Sequence, residues 1–135
     1  MGVDPISTGA ISGMTDTTPL LRQIHPTFVQ DGRVTSQAFR PTQKDEELLS
    51  VYDGDRIEPE QAYRHYTLDL EYASCGCMAV TVLECVRVGV SARPEPTPFP
   101  EHAVIDFTGL NEGKKKTVSK RLRSFAEERG WLYRG

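Results

Sequence analysis

No apolar run in the 135 residues approaches the ~18 that a membrane-spanning helix needs. Lysine and arginine are missing before Arg22, and that first segment has no sustained apolar core, which argues against a secretory signal. Ile6 stands where N-myristoylation requires Ser or Thr. Cysteine is scarce and odd in number. Cys75, Cys77 and Cys85 make no disulfide framework and point to a reducing, cytoplasmic location. One residue separates Cys75 from Cys77, too few for a zinc knuckle. Even with Cys85, His65 and His102 nearby in the chain, no metal site is expected and no cofactor is implied. Internal repeats and completed catalytic signatures are also lacking, so the function is not stated outright by any motif.

What is present is the composition of one globular domain, 38% hydrophobic and 26% charged. Its net charge of −3 hides an asymmetry. Residues 112–135 hold eight Lys/Arg against three Asp/Glu, and the remainder holds eight against sixteen. An acidic body with a basic tail implies either an anionic partner at the tail or charge complementarity within the protein.

Residues 1–19 are rich in Gly, Ser and Thr without helical or strand period, and read as a mobile arm before a single domain over 20–135. Met14 opens a compact start of its own, so residues 1–13 read as an upstream extension. From Leu20 onward apolar residues surround His25-Pro26, and the proline drives His25 toward extended geometry. Asp31-Gly32 between two apolar runs predicts a hairpin, with Val34, Ser36 and Ala38 facing one side of its second arm. Pro41 to Glu47 is a loop, and Leu48 to Tyr52 a third strand. Pro59 suits the first position of a helix whose stripe is Ala62, Tyr63 and Tyr66, with Glu60 and Arg64 paired along it. Residues 77–90 are β-branched and favour a central strand, although a buried helix also fits. Four prolines mark Arg93 to Pro100 as an extended connection outside the ladder. His102 to Phe107 is a strand. The last helix presents Val118, Leu122, Phe125 and Ala126, ends at Gly130, and lets Trp131-Leu132-Tyr133 fold back. The fold class is α+β, a mostly antiparallel sheet of five or six strands with two helices packed on one face.

His25 and His102 lie on predicted strands beside proline-rich segments and would form an acid–base pair if those strands were neighbours, with the Ser36 hydroxyl alongside. Arg22 and Arg40 are the candidate ligand-binding cations, able to fork onto a phosphate or carboxylate. Lys116, Lys120 and Arg123 share a helical face and form the candidate nucleic-acid surface. No aromatic is interleaved there for base stacking.

Arg22, Ser36 and either Glu84 or Glu101 resemble, loosely, the layout of ADP-ribosyl-transferase-type enzymes: a basic first strand, a Ser-containing second strand and a late glutamate. The usual Ser-Thr-Ser is absent. A second resemblance rests on Arg22, the Ser36-Gln-Ala-Phe39 unit, Leu49-Ser50-Val51 and Pro100-Glu-His102-Ala103. This pattern resembles a group of small, mostly uncharacterised bacterial proteins. It implies that Ser36, Phe39, Ser50 and His102 belong to one structural plan, and it brings no activity.

Three function classes follow. The leading one is a small cytoplasmic binding or accessory protein acting with a protein partner. Next comes a small enzyme on a phosphate-bearing or nucleotide substrate, using Arg22, His25, Ser36, Arg40 and His102. Third is nucleic-acid binding through the basic tail.

Overall fold

Proline at the first position of β1 (Pro19–Gln23) starts the strand around which the sheet is arranged. The computed structural model describes residues 14–42 and 46–135. Most of the expected arm and the tip of the 41–47 loop lie outside the described residues. After β1 come a short hairpin, β2 (Val29–Gln30) and β3 (Arg33–Val34), then β4 (Leu48–Asp53) and helix α1 (Pro59–Arg64). Next are β5 (Gly76–Thr81), helix α2 (Val82–Arg87), β6 (Ser91–Pro94), β7 (His102–Asp106), helix α3 (Glu112–Arg129) and β8 (Tyr133–Arg134). Six strands form one sheet in the order β6–β7–β4–β1–β5–β8, with every neighbouring pair antiparallel. The α+β class and the antiparallel sheet follow directly from this arrangement.

Alternation along the strands gives two unequal cores. Leu20, Ile24, Leu49, Val51, Met78, Val80 and Ile105 build the larger one, closed by Val118, Leu122 and Ala126 of α3 and by Cys85 of α2. Leu21, Tyr52 and Ala79 meet Ala62 of α1 on the opposite face. Two helices therefore do share one face, but they are α2 and α3, while α1 covers the other.

Several local expectations hold for the reasons given. Asp31 and Gly32 both take positive φ, 52° and 77°, as the tight β2–β3 turn demands. Pro59 opens α1, and Glu60 pairs with Arg64 at 2.8 Å. Gly130 ends α3 at φ 86°, and the chain returns to pair Tyr133 with Cys77.

Others are corrected. The second hairpin arm does not run on as a strand: Ser36–Phe39 is a 3-10 turn packed against α3, with Ala38 and Phe39 buried. Residues 77–90 divide into β5 and α2 at Thr81. There the Thr81 side chain accepts from the Glu84 N–H, and Glu84 accepts from the Thr81 N–H. Ser91–Pro94 is not outside the ladder but forms the edge strand β6, where a missing N–H is tolerated on the open side. Residues 14–19 are no loose arm: Met14 packs on the larger core, Thr18 is buried, and Asp16 accepts from the Leu83 N–H.

Asp106 at the end of β7 shows how the sheet edge depends on pH. Hydrogen bonds from Thr108 and from Arg93 hold its carboxyl down to about 2. A carboxyl lowered on folding stabilises the native state above its ordinary value near 4, and that contribution disappears as pH falls toward 2. Asp106→Asn is expected to lower the urea midpoint at pH 7 and to flatten its decline between pH 4 and 2.

Candidate functional site

β1 stays paired with β5 through Ile24, whose N–H donates to the Gly76 carbonyl at 2.9 Å. Its pairing with β4 stops at Leu21↔Tyr52. The sheet thus splits between β1 and β4, and a cleft of about 460 Å³ opens at the split. Arg22 and Val51, which alternation assigns to the large-core side, join Leu21, Gln23, Ser50 and Tyr52 in its lining because the gap exposes both sides of the strands.

Arg22 closes the floor of this gap. Its Nε donates to the Ala38 carbonyl at 2.7 Å and its Nη1 to the Ser50 carbonyl at 2.9 Å, one position past the last β1–β4 pair. The guanidinium does the work of ladder hydrogen bonds that the splayed strands no longer make. The ligand-binding role expected for Arg22 is corrected to that extent: these two donors hold backbone.

The roof is aromatic. Beyond α1 the chain makes a π turn, His65–Asp69, in which the Leu70 N–H reaches the His65 carbonyl at 3.0 Å. This wide turn sets Tyr66 and Leu70 over the cleft. Phe99, from the loop between β6 and β7, stacks on Tyr52 with centroids 5.1 Å apart and meets the rings of His65 and His102 edge-on. The Tyr52 hydroxyl lies 2.8 Å from His65 Nδ1, and burial raises its pKa well above the ordinary value, so the phenol is neutral.

His102 and Ser50 are diagonal neighbours on adjacent strands, within the register Ser50↔Val104 and Tyr52↔His102. His102 Nδ1 is 2.8 Å from the Glu95 carbonyl, and its Nε2 is 3.1 Å from Ser50 Oγ. A carbonyl only accepts, so in the neutral ring Nδ1 carries the proton and Nε2 accepts from the serine. The Glu95 carbonyl is fixed in turn, because the Glu95 N–H donates to the His102 carbonyl at 2.9 Å.

Gln23 completes the wall. It is buried, its Oε1 lies 2.8 Å from Ser74 Oγ, and its Nε2 has no partner. The same hydroxyl is 2.9 Å from the Gly76 carbonyl, so one proton would face two acceptors. Exchanging the oxygen and nitrogen of the Gln23 amide removes the conflict: the amide NH2 donates to Ser74 Oγ, and the serine proton goes to the Gly76 carbonyl.

The residues singled out from the sequence are only partly gathered here. His102 and Arg22 line the cleft. His25 does not: it caps the 3-10 turn Pro26–Phe28, with Nδ1 accepting from the Thr27 N–H at 3.1 Å, so the expected His25–His102 pair is absent. Ser36 begins the other 3-10 turn and is not part of the lining. Arg40 borders a different hollow whose charges are mixed, with Glu46, Glu47 and Glu112 beside Lys115 and Lys116. Of the two glutamates that the ADP-ribosyl-transferase-like layout could use, Glu84 is engaged by the α2 cap and by Arg129 at 2.9 Å.

Within the basic helix, Lys115 pairs with Glu47 and Glu112, and Arg123 donates toward the Val34 carbonyl and lies 3.8 Å from Glu127. Part of the positive charge thus answers the acidic body, while Lys116 and Lys120 remain exposed. Among the described residues no group of three or more His, Cys, Asp or Glu side chains is placed to hold a metal ion. No helix among them is long and apolar enough to cross a membrane. Burial pushes the Cys77 and Cys85 thiols up to about 12, which suits packed apolar groups rather than reactive thiolates.

Sequence reasoning missed Ser50 as the partner of His102, and missed Gln23, Tyr52 and Phe99 altogether. Alternation placed Ser50 and Tyr52 on one strand face, but only the β4–β7 register brings that face to His102. The chain matches no family model, and no curated protein and no solved structure matches it.

Proposed function

We propose that this is a small cytoplasmic binding protein whose ligand is an uncharged, planar molecule. The observation that carries this reading is the cleft itself, lined by the rings of Tyr52, Tyr66, Tyr72 and Phe99. Phe99, Tyr66 and Tyr72 offer ring faces and edges to a flat group. Three free thiols support a reducing compartment. The bacterial origin rests on the sequence resemblance alone.

p-Nitroacetophenone, a flat ketone, tests the idea by thermal shift and ligand-observed NMR. Binding is expected, weakened about fivefold by Phe99→Ala and by Tyr72→Ala, the share of one stacking contact. Absence of binding, or binding indifferent to both substitutions, would defeat the proposal.

A protein partner is the second reading. Leu68 and Tyr72, on the π turn and its exit, are 70% and 59% exposed, and Tyr72 lines the cleft, so this stretch keeps large apolar side chains in water.

A further inference from the structure

We infer that Ser50 and His102 form an acyl-transfer centre, and that the molecules taken by the cleft include neutral aryl esters that the protein hydrolyses. This rests on the ligand-binding reading above and adds a reaction to it. Three groups occupy the places such chemistry requires. Ser50 is exposed in the cleft and supplies the hydroxyl. His102 Nε2 lies 3.1 Å away as the base, and the Glu95 carbonyl fixes the tautomer from the far side of the ring. This is the nucleophile–base–orienter sequence of covalent catalysis, with a backbone carbonyl as the third member.

The neighbouring rings of Phe99 and Tyr52 favour an aryl group over an aliphatic one.

The reaction balances without a co-reactant other than water. Ser50 Oγ bonds to the ester carbonyl carbon while its proton passes to His102 Nε2. The carbonyl oxygen becomes an oxyanion within the cleft. The bond from carbon to the aryl oxygen breaks, and His102 returns the proton to the departing phenol oxygen. Water then attacks the acyl-Ser50 carbonyl and gives a proton to His102. The acid leaves and Ser50 Oγ is reprotonated from Nε2. A neutral carbonyl stabilises the imidazolium less than a carboxylate does, so both half-reactions are slow; with an activated aryl leaving group acylation outruns hydrolysis and the acyl-enzyme accumulates.

p-Nitrophenyl acetate is the probe. A burst of p-nitrophenolate stoichiometric with protein is expected, with a single acetyl group located on Ser50 by peptide mass mapping. Ser50→Ala should abolish both the burst and the acetylation. His102→Gln should lower the acylation rate at least ~100-fold, the usual share of a general base. His25→Gln, outside the cleft, should leave the rate unchanged. Acetyl on a lysine or on His102, or none on Ser50, overturns the inference. If p-nitroacetophenone still binds in that case, the reading of the cleft as a binding site stands and only the chemistry falls. If the ketone fails too, both fall.

Discussion

Phe39→Ala is expected to destabilise the protein by about 3–5 kcal/mol, the range for deleting a buried phenyl ring, and to lower the urea midpoint accordingly. Phe39 is fully buried and lies among the largest side chains of the main core. It closes the 3-10 turn that packs between the sheet and α3. The loss is a large share of the ~5–15 kcal/mol that holds a domain together. The same turn supplies the Ala38 carbonyl that receives Arg22 Nε. A loosened turn therefore frees the guanidinium that ties the split between β1 and β4. Binding of p-nitroacetophenone should weaken in Phe39→Ala even below the unfolding transition, when the protein is still folded. Intact binding in the folded variant would show that the floor of the cleft does not depend on that turn.

The second large effect is expected at Glu84. Its carboxylate accepts from the Thr81 N–H at the start of α2 and takes both Nη atoms of Arg129 from the far end of α3, at 3.1 and 2.9 Å. Burial alone would raise its pKa, but the hydrogen bonds from Arg129 and Thr81 outweigh that and hold the carboxyl below its usual range. Glu84→Ala removes a capping-box member, worth about 1 kcal/mol, and a charge-assisted pair worth about 1.5–3 kcal/mol. A net loss of about 2–3 kcal/mol is expected, because the paired groups are partly solvated. Glu84→Gln keeps the capping acceptor and loses the charge, so it should cost about half as much. Chemical denaturation of the two variants separates cap from ion pair. Equal losses would mean that the cap contributes nothing.

How far these features could be read in advance depended on whether a residue's role was local. Asp31-Gly32, Pro59 and Gly130 act within their own turn, through positive φ, a dispensable N–H or a helix end, and each stands where the pattern placed it. The strand at His102 was visible because Ala103, Ile105 and Phe107 alternate. Ser36–Phe39 misled, since Val34, Ser36 and Ala38 imitate a strand period while contact with α3 and with Arg22 makes the turn. Helix α2 carried a legible signal that its valines outweighed: Thr81 followed three residues later by Glu84 is a capping box. For the site, His102 and Arg22 were visible as residue types, but their tasks were not. Arg22 was read as a ligand clamp, whereas its Nε and Nη1 hold two backbone carbonyls set by a strand separation that no single stretch encodes. Ser50 and Gln23 are ordinary residues in ordinary strands until the pairing registers bring them into one cleft.

The two margins of the sheet bear on how this protein meets others. One margin is β6, four residues long, ending in Pro94 and followed by Pro96, Pro98 and Pro100; the other is β8, only two residues. Short, proline-flanked margins make poor templates for an incoming strand. Edge-to-edge stacking of copies, and capture of extended peptides by strand addition, are both disfavoured. Association is left to the faces. Large apolar side chains stay in water at Leu68 and Tyr72, at Val86 on α2 and at Leu132; of these Tyr72 lines the cleft, so whatever docks over it also controls entry there.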